Sequence, residues 1–326
     1  MMLLSLFFII LLLPSFSTSA SLSLNFGCGG SQGPVYSLTL NDATFLPVSP
    51  PLRIFAQGEL FTSFTYLPGV SENISGTDAL GSYIGTRCSY ALGDSGEPFF
   101  VATAAHYSAF SASPSSSGVR FTYSFPKGAT ATNHSSSSTA SGASYSTIAN
   151  FPAFVEGTQE TAFNNTLTWK GAFVRPQTRM TEAYGQRGGP VVWWGGDVGG
   201  PVAVVSPLDH FLTSALADSV SPMLAPCSGA SACFAAGTSS FVTYLPPGFT
   251  HSWVVVADTG ITGTMGCYGA VMRGYYNKDK LWDLSLESLG YQTDNGGQLT
   301  FGCKGPKDKC LLNEKSYLDS VGVPIQ

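Results

Sequence analysis

Val119-Arg120-Phe121-Thr122-Tyr123-Ser124-Phe125 places an apolar or aromatic side chain at every second position. Successive side chains of an extended chain point to opposite faces, so this is a strand with one buried face and one polar face. The same alternation runs through most of Val35-Tyr36-Ser37-Leu38-Thr39-Leu40, which ends at a turn, Asn41-Asp42. Leu52-Arg53-Ile54-Phe55, Phe99-Phe100-Val101-Ala102-Thr103-Ala104 and Phe241-Val242-Thr243-Tyr244-Leu245 read as further short strands. Pro201-Val202-Ala203-Val204-Val205-Ser206 is the continuous apolar run of a buried strand, and Trp253-Val254-Val255-Val256 completes the series. Gly128 to Ser146, rich in Ser, Thr, Ala and Gly, reads as a long surface loop. The strands have irregular spacing and no internal repeat. Together they predict a mainly β fold, a large antiparallel sandwich over residues 21–257.

Composition agrees. Of 326 residues 44% are hydrophobic and 11% charged, with 37 glycines, 20 prolines and a formal net charge of −5. An acidic chain this poor in Lys and Arg is no nucleic-acid binder. Its aromatic content excludes wholesale disorder, and its strand-and-turn composition excludes a coiled coil or helical array.

The pattern changes after Asp258. Ile261, Met265, Tyr268, Val271, Met272 and Tyr275 recur at three- and four-residue spacing, one face of a helix that Asp258 or Thr259 is placed to cap. The linker segment runs over 258–285. Beyond it, Leu286 to Thr293 reads as a strand, Gly296-Gly297 as a turn, Asn313 to Val321 as a short helix, and Val323-Pro324-Ile325 as the start of a second strand.

At the other end, Leu3 to Leu13 is an apolar run too short to span a bilayer comfortably. Thr18 and Ala20 suit signal cleavage, so residues 1–20 read as a signal peptide and the mature chain as secreted, with no stable membrane association after cleavage. Asn73, Asn133 and Asn164 each open an acceptor sequon for N-glycosylation. Of the seven cysteines, Cys227 with Cys233 and Cys303 with Cys310 are near neighbours that can close small loops. Cys28, Cys88 and Cys267 then leave one odd thiol. No cysteine spacing suits zinc, and neither a metal nor a cofactor is expected.

Several short motifs invite chemistry. Gly93-Asp94-Ser95-Gly96 and Thr103-Ala104-Ala105-His106 resemble the serine and histidine signatures of trypsin-like proteases, but stand in the reverse order and too close together, so a turn followed by a strand is the better reading. Asp209-His210 are adjacent and point opposite ways on an extended chain, so Asp209 reads as a turn residue. His251 reads as structural. Trp193-Trp194-Gly195-Gly196-Asp197 is a candidate platform for a sugar ring, with Asp197 to bind hydroxyls; against this, one indole belongs in the core and the other over a strand edge.

A further set of motifs stands in order along the chain: Val35 to Asp42, Phe45 to Leu52, Val205-Ser206-Pro207-Leu208-Asp209-His210-Phe211, Leu245-Pro246-Pro247-Gly248-Phe249, and Leu289-Gly290-Tyr291-Gln292-Thr293-Asp294-Asn295-Gly296-Gly297. This order resembles a group of secreted eukaryotic proteins that is similar, more distantly, to raffinose synthases and alkaline α-galactosidases. The resemblance implies a β-supersandwich, a linker helix, and a (β/α)8 barrel carrying two catalytic carboxylates on its later strands. It implies a substrate contact at Asp294 or Asn295. A whole barrel takes roughly 200 residues or more, so 286–326 is expected to be a truncated barrel remnant. The expectation is a glycoside-hydrolase-like sandwich, inactive alone, with a carbohydrate, an α-galactoside first, as its partner. A carbohydrate-binding or adhesive sandwich is the alternative.

Overall fold

The computed structural model describes residues 20–46, 49–134, 147–155, 165–168, 189–197, 199–218, 233–279 and 306–322. The first strands, β1 (Leu22–Gly27), β2 (Val35–Leu40) and β3 (Ala43–Leu46), form an antiparallel meander. The turn between β2 and β3 uses Asn41 and Asp42 at positive φ, which these short polar residues tolerate better than most. A hairpin follows, β4 (Ile54–Ala56) with β5 (Glu59–Phe61).

The large sheet is built from β6 (Thr65–Tyr66), β7 (Glu72–Thr77), β8 (Ser82–Ala91), β9 (Phe100–Tyr107) and β10 (Ser117–Phe125), and from four later strands. Two short strands intervene, β11 (Ala129–Thr130) and β12 (Ala153–Val155). The later members are β13 (Asn165–Thr168), β14 (Val191–Trp194), β15 (Pro201–Pro207) and, after β16 (Ser214–Asp218), β17 (Cys233–Thr238) and β18 (Tyr244–Leu245), the long β19 (Phe249–Thr259). The sheet order is β13-β14-β15-β19-β10-β9-β8-β6, with β7 also on β8, and every pairing is antiparallel. β12, β17 and β16 make a smaller antiparallel sheet, and β11 pairs with β18.

The alternation of β10 does what its sequence requires. Val119, Phe121, Tyr123 and Phe125 are fully buried in the main core. There Phe121 meets Tyr36 of β2 at 5.2 Å between ring centroids, and Phe154 of β12 at 6.0 Å. The Tyr36 hydroxyl is satisfied by Ala153, donating to its carbonyl and accepting its N–H. The core therefore lies between the large sheet and the smaller ones, as in a sandwich.

The continuous run in β19 has a second cause. Trp253, Val255 and Ala257 face that core, while Val254 and Val256 face a second cluster on the outer side. This outer side is covered by helix α1 (Ile261–Tyr275) through Val271, with Met272 and Tyr275 packed alongside. The helix is the one its spacing predicts. Its cap is not: Gly260 at φ 71° precedes it, and Asp258 instead accepts bonds from the Thr259 N–H, the Ser115 hydroxyl and the Cys267 thiol. Arg120, on the outer face of β10, finds Asp78 at 2.7 Å and lies over the Tyr83 ring.

The chain divides into two compact units, 1–277 and 278–326. In the second, α2 (Lys307–Ser320) begins six residues before the predicted Asn313 and carries a Lys315–Asp319 pair at 2.8 Å one turn apart. The expected strands at 286–293 and 323–325 lie outside the described residues.

Candidate functional site

β7 is zipped to β8 in the register Asn73↔Thr86 and Ser75↔Ile84, and β8 to β9 with Ile84↔His106. Directly paired residues share a sheet face, so Asn73, Ser75, Ile84, Thr86 and His106 lie together. Opposite them stands β1, with Leu24 and Phe26. These strands enclose an open cleft of about 450 Å³, within the roughly 300–1,000 Å³ range of small-molecule sites.

Its chemistry is mixed. Phe26 is braced by a stacked contact with Tyr36 at 5.9 Å, and Ile84 is 67% exposed. Around them stand the Asn73 amide, the Ser75 and Thr86 hydroxyls and the His106 ring. His106 Nε2 lies 2.7 Å from the Leu22 carbonyl, which can only accept, so Nε2 is the donor and Nδ1 the remaining polar atom. Among the described residues, no carboxylate lines the cleft. Glycosidic cleavage by the usual route needs two, about 5 to 9.5 Å apart. The lining suits binding of a ligand with apolar faces and hydroxyl edges.

The tryptophan motif divides between faces. Trp193 is 2% exposed and packs edge-on against Phe45 and Phe154 at 5.7 and 5.9 Å. It therefore presents no face to a sugar: this is the indole that the alternative reading places in the core. Trp194, its neighbour on β14, points the other way and is half-buried against the cluster of Val192, Val202 and Val204 near α1. Asp197 is exposed, its Oδ1 accepting the Gly199 N–H in a turn. None of the three lines the cleft. Asn73 and Asn133 are both exposed, and Asn73 alone belongs to the lining. Asp294, Asn295, Asn164, Cys227 and Cys303 lie outside the described residues, as do the side chains of Cys233 and Cys310. Cys28 and Cys88 form a disulfide 60 residues apart in sequence, and Cys267 is the unpaired thiol among the described residues. No group of metal-ligating side chains occurs among those residues.

A second polar cluster gathers a histidine, a serine and a carboxylate in the interior. His251, fully buried, has Ser214 Oγ at 3.0 Å from Nε2 and Asp209 Oδ1 at 3.9 Å. The serine hydroxyl donates to the His210 carbonyl, so Nε2–H donates to the serine. On the other side Thr238 Oγ1 donates to Nδ1 at 2.8 Å, receiving in turn the Tyr123 hydroxyl at 2.6 Å. Every proton has a place when the ring is neutral, and no substrate reaches it. The protease-like pair likewise dissolves: Ser95 is exposed in a turn and bonds Glu97, while His106 holds β1.

Burial pushes the His251 pKa from 6.5 down to about 3. The unfolded chain then binds a proton that the native state refuses. Stability is complete above about pH 6.5 and is lost as pH falls toward 3, at about 1.4 kcal/mol per pH unit. His134, also lowered by burial, acts in the same direction. Asp209, raised chiefly by burial, opposes this at the acid end of the window. Urea unfolding should therefore show a midpoint that drops steadily from pH 7 to pH 5; a constant midpoint would mean that His251 titrates normally.

No family model and no curated protein matches the chain. Among solved structures, it is similar to a β-arabinopyranosidase at 13% identity and a TM-score of 0.40, covering 73% of this chain and 38% of that one. It is similar to a Glycoside Hydrolase Family 97 enzyme from Pseudoalteromonas sp. strain K8, solved with acarbose, at 14% identity and a TM-score of 0.42, covering 73% and 34%. The chain thus spans well under half the length of either structure.

Proposed function

We propose that this chain is a secreted, non-catalytic carbohydrate-binding sandwich of glycoside-hydrolase-like architecture, with α-galactosides as its first candidate ligands. The observation that carries the reading is the cleft, which joins an apolar wall of Leu24, Phe26 and Ile84 to amide, hydroxyl and imidazole groups, with no carboxylate among the described lining residues. Pyranose rings offer matching apolar faces and hydroxyl edges. The α-galactoside preference rests on the ordered motifs of the sequence. Secretion is supported by the apolar N-terminal run and by the Cys28–Cys88 disulfide, a bond that persists in oxidising compartments.

The test is an oligosaccharide panel that includes raffinose and melibiose, read by isothermal titration. Ile84→Glu places a charge on the cleft wall, away from the core, and should weaken binding at least tenfold. Trp194→Ala, which leaves the cleft intact, should not. Loss of binding in Trp194→Ala alone would move the site to the tryptophan motif. Hydrolysis of an aryl-α-galactoside by the purified chain would overturn the non-catalytic reading.

A further inference from the structure

Three features stand outside that reading: the Cys267–Asp258–Ser115 cluster under α1, the exposed apolar side chains Phe211, Leu212 and Tyr276, and the sequon that opens at Asn73. The first is a lone thiol whose proton is already given to Asp258, and nothing indicates what covers the second. The third is different, because it coincides with the cleft.

Asn73-Ile74-Ser75 lies wholly within the cleft lining. Asn73 is opposite Thr86 in the β7–β8 register, and its Oδ1 takes the Thr86 hydroxyl at 3.4 Å, a long bond. That contact places the amide on the cleft side of the sheet. Its Nδ2 has no partner among the described residues, and the side chain is exposed. Among the described residues β7 is bonded to β8 alone, which puts the sequon on an edge of the described sheet. Asn133, the other described sequon asparagine, is exposed but lies away from the cleft lining.

We infer that Asn73 carries an N-linked glycan whose first sugar occupies the cleft, so that glycosylation closes the site to free oligosaccharide. This rests on the cleft being a carbohydrate site. The donor is a lipid-pyrophosphate-linked oligosaccharide. Asn73 Nδ2 attacks C1 of its reducing-end N-acetylglucosamine and the C1–O bond to pyrophosphate breaks. The lipid pyrophosphate leaves with the electron pair, and Nδ2 gives up one proton. The N-glycosidic bond starts at the cleft wall, so the first ring faces Phe26 and Ile84 at an effective concentration that a soluble ligand must exceed. The apolar residues that would otherwise be exposed are then covered by the protein's own sugar.

The test uses the full chain from two sources: a secretory host that N-glycosylates, and a bacterial periplasm that does not. Peptide mass mapping gives occupancy at Asn73 and Asn133. Affinity for raffinose and for the panel is then measured on both forms. Occupied Asn73 with affinity at least tenfold below the unglycosylated form supports the inference. Ser75→Ala, which removes the sequon, should then equalise the two sources, since any effect of the substitution on the cleft itself is common to both. Asn133→Gln should leave the difference in place. Unoccupied Asn73 in the glycosylating host overturns the inference, as does equal affinity of the two forms, and either leaves the cleft reading standing. Absence of binding by both forms overturns the cleft as a site for free sugar. Amide hydrogen exchange then decides the seat by itself: slower exchange across 22–27 and 72–77 on glycosylation supports it, and unchanged exchange overturns it.

Discussion

Replacing Cys28 and Cys88 with serine is expected to destabilise the fold by about 4 kcal/mol, the chain-entropy value for opening a closed loop of 60 residues. The position of the bond makes the effect more than entropic. Cys28 follows β1 in the smaller meander, whereas Cys88 is fully buried on β8 of the large sheet, so the bond ties one layer to the other. The Tyr90 hydroxyl adds a hydrogen bond to the Cys28 carbonyl at 2.6 Å. β1 is also the apolar wall of the cleft. The double variant should therefore lose oligosaccharide affinity before it unfolds, as the wall loosens. Chemical denaturation with and without reductant measures the first effect, and titration under native conditions the second. A reductant-insensitive midpoint would show that the bond does not hold the layers.

Trp193→Ala is expected to cost about 3 to 5 kcal/mol, the range for deleting a fully packed aromatic side chain. The indole fills the space between Phe45 of β3 and Phe154 of β12, so its removal leaves a cavity that strands from three sheets would have to close. Trp194→Ala should cost much less, because that ring is half-buried and shares its cluster with side chains that are themselves partly buried, Ile261 and Met265 of α1 among them. Thermal unfolding of the two variants side by side checks this. Equal losses would mean that the two indoles share one environment, contrary to their placement on opposite faces of β14.

Much of the strand content was legible because strand alternation is local. Val35–Leu40 is a strand with the bounds expected, and Val119–Phe125 and Pro201–Ser206 are strands extended by a residue or two. The α1 periodicity was legible for the same reason. β8 was not, since Ser82-Tyr83-Ile84-Gly85-Thr86-Arg87-Cys88-Ser89-Tyr90-Ala91 mixes polar and apolar residues on both faces. Its outer face meets Tyr107 and solvent, and its inner face meets both the cleft and the core. Phe241–Leu245 fell short as a strand, contracting to Tyr244–Leu245, the length over which it pairs with the two residues of β11.

The candidate site was hardly legible. Asn73 was marked for its sequon and His106 for a misleading motif, yet nothing local joins them to Leu24 and Phe26, some fifty residues away from one and eighty from the other. The cysteines show the same limit. Proximity in sequence favours short loops, but the Cys28–Cys88 bond forms because two sheets bring distant residues to a Cα separation of 5.4 Å.

The sequence by itself determined a mainly β chain with antiparallel strands, an amphipathic helix after the last long strand, and an acidic composition. Those properties follow from side-chain period and charge, which each segment carries alone. Tertiary structure decided which layer each strand entered, which tryptophan was buried, which cysteines met, and that β1 and β7 would flank one cleft. These depend on contacts between segments far apart in sequence, whose geometry exists once the sheets have packed.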